Sequence, residues 1–282
     1  MHPARSIATR LLLSLSLTTI VVPLVAQSAP TIPPAYDVVS IKPNKSGSGN
    51  VSVSISPEGF TATNMSVESL MQNAYGLKTA NQIYGLPAWT KSSTFDIQAK
   101  ATPDVIEALK KLPREEAFQQ RRLMMQGLLA DRFQLKLHHE TRELPVYALV
   151  IAKGGPKLKQ STPGDTYPNG FKGPDGVGHG GSMMVRGGQM DAQGLPISNL
   201  ADNLSNQLHR QVLDKTGLTG NFDFSLHWAP DDLAADSTSS ASETTAPSLF
   251  TAVQEQLGLR LDPTKGPVDT VVVDHIELPS EN

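Results

Sequence analysis

The stretches GFTATNMSVESLMQNAYGL, residues 59–77, and QMDAQGLPISNLADNLSNQL, residues 189–208, decide the fold because they repeat each other. Each alternates apolar and polar residues, as a half-buried strand does, and then changes to the spacing of an amphipathic helix. Ser66 is a good N-cap for the first helix, and Pro196 suits the first position of the second. Aligned without gaps, the coinciding apolar residues are Phe60 with Met190, Ala62 with Ala192, Met65 with Leu195, Val67 with Ile197, and Leu70 with Leu200.

The repeat continues beyond these stretches. Both halves enter a later strand on Phe-Asp-apolar, at Phe95-Asp96-Ile97 and at Phe222-Asp223-Phe224. Both then end in matching segments, FQLKLHHETRELPVYALVIA (133–152) and LRLDPTKGPVDTVVVDHI (259–276). Each of these reads as a strand, a turn containing proline and a second strand, which predicts a closing β-hairpin.

Each half therefore has the predicted order β-β-α-β(β)-α-β-β. Short helices packed on a mainly antiparallel sheet make an α+β fold, here with two similar lobes produced by internal duplication. The predicted boundaries are a first repeat at 36–159, a Gly/Pro-rich linker at 160–188 and a second repeat at 189–279, with a disordered insertion at 231–248. The alternative is that two ordinary α+β segments share this pattern by chance.

The N-terminus has the composition of a secretory signal peptide, predicted at residues 1–26. Arg5 and Arg10 precede an apolar run, Leu11 to Val22, that is short for a membrane span. We therefore expect an exported protein, periplasmic or extracellular, with no membrane span after signal cleavage; an uncleaved anchor is the alternative. With 24 basic and 27 acidic residues, the chain has no electrostatic reason to bind nucleic acid. It has no cysteine, so disulfides and thiol chemistry are excluded.

His138-His139-Glu140 is the one cluster that could suggest metal or acid–base chemistry. Zinc needs several side chains that converge on one point, whereas neighbours in a strand point to opposite faces. The second half has Asp262-Pro263-Thr264 at this place, so the repeat itself does not require histidine. The sequence therefore predicts no catalytic residue, no cofactor and no metal site, and leaves His138, His139 and Glu140 as weak metal candidates.

Tyr84 and Trp89 bracket the loop YGLPAW, residues 84–89, and are the predicted binding residues. The corresponding loop of the second half lacks these aromatic residues, so the repeat does not need them. An aromatic side chain in a loop is suited to contact with a sugar or a peptide. The alternative is that Trp89 covers the edge of the core.

Four segments carry a family resemblance: YDVVSIKPNKSG, LLADRFQLKLHHETRELPVYALVIAKGGPKL, QVLDKTGLTGNFDFSLHWAPD and SLFTAVQEQLGLRLDPTKGPVDTVVVDHIELPSEN. From about Tyr36 to Asn282 the chain resembles a family of secreted soil-bacterial proteins with a domain of unknown function. In that family the domain also occurs joined to membrane metallopeptidases of the kind that sense β-lactams. The resemblance implies an exported protein and gives no catalytic residues, and this chain has no His-Glu-x-x-His motif.

The repeat unit, in LPISNLADNLSNQLHRQVLDKTGLTG and SLFTAVQEQLGLRL, is also similar to the short N-terminal domain of secretins and TonB-dependent receptors, which works by protein contact. These patterns predict a non-enzymatic binding module of the cell envelope whose partner is an envelope protein, peptide or glycan. The alternatives are a hydrolase of envelope polymers and a sensor domain for envelope fragments.

Overall fold

The computed structural model describes residues 34–56, 58–162, 164–167, 170, 172, 176–230 and 246–279. The predicted signal peptide and residues 231–245 of the predicted insertion lie outside the described residues. All of these described residues belong to one compact unit.

The described residues form both helices and mainly antiparallel strands, and the predicted α+β class is confirmed. The helices are α1 (Val67–Tyr75), α2 (Trp89–Ser92), α3 (Pro103–Lys111), α4 (Arg114–Arg132), α5 (Ile197–Gln207) and α6 (Leu249–Leu257). The strands are β1 (Val38–Pro43), β2 (Ser52–Ser56), β3 (Gly59–Ser66), β4 (Ile83–Tyr84), β5 (Thr94–Lys100), β6 (Lys136–Ile151), β7 (Lys159–Gln160), β8 (Ser182–Arg186), β9 (Gln189–Leu195), β10 (Val212–Asp214), β11 (Phe222–His227) and β12 (Leu259–His275).

The strands form three four-stranded sheets. The orders are β1-β5-β3-β2 for the first outer sheet, β10-β6-β12-β4 for the central sheet and β7-β11-β9-β8 for the second outer sheet. All ladders are antiparallel except β10 with β6 and β12 with β4, which are parallel. The first outer sheet is built from the first half of the chain and the second outer sheet from strands between residues 159 and 227, whereas the central sheet takes two strands from each half. The halves therefore share a sheet and one compact unit, which two separate lobes would not.

The predicted closing hairpins are wrong. Residues 136–151 and 259–275 are each one long strand, and the two strands pair with each other from Lys136 opposite His275 to Ile151 opposite Leu259. The pairing is reciprocal: Leu137 lies opposite Val273, and Leu149 lies opposite Leu261. The proline that suggested a turn, Pro145, lies within the ladder opposite Lys265. Local pattern cannot distinguish a turn from continuous strand when a distant segment supplies the hydrogen bonds.

The aligned apolar residues lie in two hydrophobic cores. The first core includes Phe60 and Leu70, and the second core includes Met190 and Leu200. All ten side chains are buried, with exposures between 0% and 8%. Ser66 is the N-cap of α1 and accepts a hydrogen bond from the Ser69 backbone N–H, as predicted. Pro196 is itself the N-cap of α5, one residue before its predicted position.

Both outer sheets contain a β-bulge in which a backbone N–H donates a hydrogen bond to an aspartate side chain. In β3, Asn64 has φ 58° and its backbone N–H donates to Asp96 Oδ1 at 3.0 Å. In β9, Gly194 has φ 60° and its N–H donates to Asp223 Oδ1 at 2.9 Å. These aspartates belong to the repeated Phe-Asp motif. The internal duplication stays a hypothesis, and this shared bulge is a structural argument for it.

The predicted linker at 160–188 contains a strand of the second outer sheet. β8 pairs with β9 from Ser182 opposite Gln193 to Arg186 opposite Gln189. The side chains of Met183 and Val185 pack against the second core, so this end of the linker contributes apolar burial and is ordered into the sheet.

Candidate functional site

The weak metal candidates do not converge. His138 Nδ1 lies 3.0 Å from Asp274 Oδ1, and His138 Nε2 lies 3.2 Å from Glu140 Oε1. His139 is on the other face of β6, where its ring centroid lies 6.2 Å from that of Tyr75. Alternation along the strand thus separates His139 from the other two side chains. Within the described ranges, no group of three or more His, Asp or Glu side chains could hold a metal ion.

His138 instead belongs to a row of charges along one face of the central sheet. The carboxylates of Asp274 and, secondarily, Glu140 raise the pKa of the His138 imidazole above its ordinary value. Glu140 also accepts a 2.7 Å hydrogen bond from Arg142 Nε, and this bond is the main cause that lowers the pKa of the Glu140 carboxyl. The Arg142 guanidinium lies over the Tyr84 ring, 3.8 Å from its centroid. The row therefore runs from Asp274 to Tyr84, one of the predicted binding residues.

Tyr84 also lines a cleft of about 560 Å³ between segments from the two halves of the chain. The first half contributes the turn Ala80–Gln82, Tyr84 and Leu144–Pro145, and the second contributes Leu208–Gln211 and Val268. Gln82 holds the part of the cleft that comes from the first half of the chain. Its side-chain carbonyl accepts hydrogen bonds from the backbone N–H groups of Lys78 and Thr79, and its side-chain amide donates to Asp269 O. The cleft is therefore framed by backbone that is held in place.

The cleft is lined by basic side chains and by no acidic one. Lys91, His209 and Arg210 line it, although the whole chain has more acidic than basic residues. Lys91 Nζ forms an ion pair with Glu68 Oε1 at 3.1 Å. The Arg210 guanidinium lies 4.4 Å from the Tyr147 ring centroid, and its buried Nε has no hydrogen-bond partner in the described structure. A cation stacked on an aromatic ring in this way is suited to receive a carboxylate.

The turn after α5 places Arg210. His209 has φ 47°, in the left-handed region where a non-glycine residue is strained. The backbone N–H of Arg210 then donates to Ser205 O at 3.2 Å, and the Ser205 hydroxyl accepts from Val212 N at 2.8 Å. His209 and Arg210 are not among the residues predicted from the sequence. The sequence feature that could have indicated them is a pair of adjacent basic residues just after a predicted helix, with no acidic residue next to them.

The second predicted binding residue, Trp89, is half-buried and packs against the first core. This position agrees with the alternative reading that it covers the core edge, although contact with a ligand through its exposed part stays a prediction. Lys91, two residues further along α2, lines the cleft.

A larger cavity of about 810 Å³ opens beside Tyr167 and His179 in the second half. Its lining includes Thr162, Gly164–Tyr167 and His179–Gly181, and several positions between these segments lie outside the described ranges. The cleft at Tyr84 and Arg210 is walled by continuously described chain and is therefore the better-defined candidate site.

None of the helices in the described residues is long and apolar enough to cross a membrane. No curated protein and no solved structure matches the chain. One protein-family model does match, over residues 68–276, which is more than half of the chain. The chain thus belongs to the family described as "Protein of unknown function (DUF3738)".

Proposed function

We propose that this protein is an exported, non-enzymatic module of the cell envelope that binds a carboxylate-bearing peptide or glycan fragment in the cleft at Tyr84 and Arg210. The observation that carries the proposal is the lining of the cleft, which includes Arg210, Lys91 and His209 but no Asp or Glu, in a chain with more acidic than basic residues. A ligand with carboxylates would gain charge-assisted hydrogen bonds there that a neutral ligand lacks.

The remaining lining supports a fragment that carries rings or amides. Tyr84 adds an aromatic side chain to the lining, and Asn81 and Gln211 add side-chain amides. The Gln211 side-chain oxygen is buried without a partner in the described structure, so it can accept from a ligand N–H or O–H. Such a mixture of one aromatic surface and a few directed polar groups is typical of sites for small ligands.

A sensor domain for envelope fragments is the second proposal, and the same cleft supports it. It differs from the first in requiring that the occupied cleft changes a contact with another protein. Export, in the periplasm or outside the cell, is part of both proposals and rests on the composition of residues 1–26.

Calorimetric titration of the chain starting at residue 27 tests the proposal. The probes are soluble muropeptides, which carry carboxylates, and neutral N-acetylglucosamine oligomers of similar size. We expect the muropeptides to bind and the neutral oligomers not to bind. Arg210→Gln should weaken muropeptide binding by about tenfold, the value of one charge-assisted hydrogen bond.

Arg186→Gln is the matched control, because Arg186 is an exposed arginine on β8 that does not line the cleft. Equal binding of charged and neutral probes, or equal affinities of the Arg210 and Arg186 variants, would contradict the proposal.

A further inference from the structure

Strand β2, at the edge of the first outer sheet, has an unpaired side. It pairs with β3 through Ser52 opposite Thr63 to Ser56 opposite Gly59. No other backbone hydrogen bond in the described structure involves residues 52–56. Apolar side chains on this strand are exposed, with Val53 at 44% and Ile55 at 38%. An open edge with exposed apolar side chains is a template for another strand.

The other described edge strands carry the features that prevent such pairing. β4, β7 and β10 are two or three residues long. β1 ends in Lys42-Pro43, and β8 ends in Arg186 and packs Met183 and Val185 on the second core. Charge, proline and short length are the usual protections of a sheet edge. β2, with the sequence SVSIS, has none of them.

The apolar residues of β2 lie on the core side of the sheet. Val53 is opposite Ala62 and Ile55 is opposite Phe60, both of which are buried. Ile55 and Phe118 of α4 line one shallow cavity of about 310 Å³, and Phe118 is itself 38% exposed. The apolar core layer therefore continues onto β2 and Phe118 without being covered there by described residues.

Hydrogen bonds fix the backbone at the start of β2. The side-chain amide of Asn64, the bulge residue of β3, donates to Ser48 O at 2.6 Å and to Asn50 O at 3.3 Å. These bonds fix the loop that leads into β2. A preorganised strand loses less conformational entropy when it pairs.

We infer that β2 is a self-association surface, where a second copy of this chain adds its own β2 in antiparallel orientation. The sequence is self-complementary. With the two-fold axis at Ser54, Val53 lies opposite Ile55 of the second copy and Ser52 lies opposite Ser56 of the second copy. Apolar residues then meet on one face and serines on the other, and no like charges oppose each other. The result is a continuous eight-stranded sheet in which the two uncovered apolar patches adjoin.

Sedimentation velocity of the chain starting at residue 27, over a concentration series up to about 1 mM, tests this inference. We expect a reversible monomer–dimer equilibrium. Val53→Lys places a charge in the apolar face next to its own copy and should weaken dimerisation at least tenfold. Val38→Lys is the matched control, since Val38 is 56% exposed on the protected edge of the same sheet. It should leave the equilibrium unchanged.

A chain that stays monomeric throughout the series would overturn the inference and would leave a strand of another protein as the occupant of the edge. Equal weakening by the two lysine variants would also overturn it. Amide hydrogen exchange needs no variant: exchange at residues 52–56 of the wild-type chain should slow as concentration rises. Exchange that is independent of concentration would count against pairing through β2.

Discussion

Asp223→Asn probes the bulge that both outer sheets contain. Asp223 Oδ1 accepts hydrogen bonds from Ser161 Oγ at 2.7 Å, Tyr167 Oη at 2.8 Å and Gly194 N at 2.9 Å. Oδ2 accepts from Lys159 Nζ at 3.2 Å. The asparagine keeps the size of the side chain and one carbonyl oxygen, and removes the charge.

The magnitude follows from the three bonds to Oδ1. A hydrogen bond to a charged group contributes about 1.5–3 kcal/mol and one between neutral groups about 0.5–1.5 kcal/mol, so each bond loses about 1 kcal/mol. The Asp223 side chain is 17% exposed, so water replaces little of this loss. We expect the free energy of unfolding to fall by about 3 kcal/mol in the variant. Asp96→Asn, with two such bonds, should cost about 2 kcal/mol.

Urea unfolding monitored by circular dichroism at pH 7 measures the change. Asp131→Asn is the control, because Asp131 is exposed on α4 and its carboxylate makes no hydrogen bond in the described structure; it should change stability by less than about 0.5 kcal/mol. A loss for Asp223→Asn no larger than for Asp131→Asn would refute the reasoning, because the carboxylate would then not hold the bulge.

The same carboxylate predicts a pH dependence. Burial alone would raise the pKa of Asp223, but hydrogen bonds from Ser161, Tyr167, Gly194 and Lys159 outweigh burial and lower the pKa below its ordinary value. A lowered pKa stabilises the fold above the pKa of the unfolded chain, and this contribution is lost as pH falls through the folded value. The stabilities of wild type and Asp223→Asn should therefore converge in acid; a constant difference down to pH 2 would contradict this.

Two further predictions concern the bulge and the charge row. Gly194→Ala should destabilise the chain by about 1–3 kcal/mol in urea unfolding, because the added Cβ would lie 2.9 Å from Gly180 Cα at a positive φ. NMR titration should give a His138 pKa above 6.5 that falls in Asp274→Asn. Stability from His138 is present below pH 6.5 and is lost as pH rises through the raised folded pKa, and an unshifted His138 would contradict the charge row.

The buried layers could be predicted from the sequence, because amphipathic spacing directly records which side of an element is buried. The repeated Phe-Asp strands were recognised, but the role of Asp96 and Asp223 was not, since their bulge partners are distant in the chain. The two long strands were mistaken for hairpins for a related reason. Each long strand forms its backbone hydrogen bonds with the other, and a local sequence pattern does not indicate a partner so distant in the chain.

The residues of the candidate site also differ in whether the local sequence could indicate them. Tyr84 is a candidate from sequence because it borders a Gly/Pro loop whose counterpart in the second half has no aromatic residue, and its side chain lines the cleft. Arg210 did not stand out, because its contribution depends on the left-handed turn at His209 and on stacking against Tyr147. The histidine pair looked more important than its geometry allows, since strand alternation separates the two rings.

The central claim is that the cleft between the two halves binds a carboxylate-bearing envelope fragment. Chemical-shift mapping tests it most directly, with isotope-labelled chain starting at residue 27 titrated with soluble muropeptides. We expect the largest amide shifts to cluster at residues 79–84 and 208–211, and we expect Arg210→Gln to reduce them. Absence of saturable shifts, or shifts centred on another part of the chain such as the cavity at Tyr167, would contradict it.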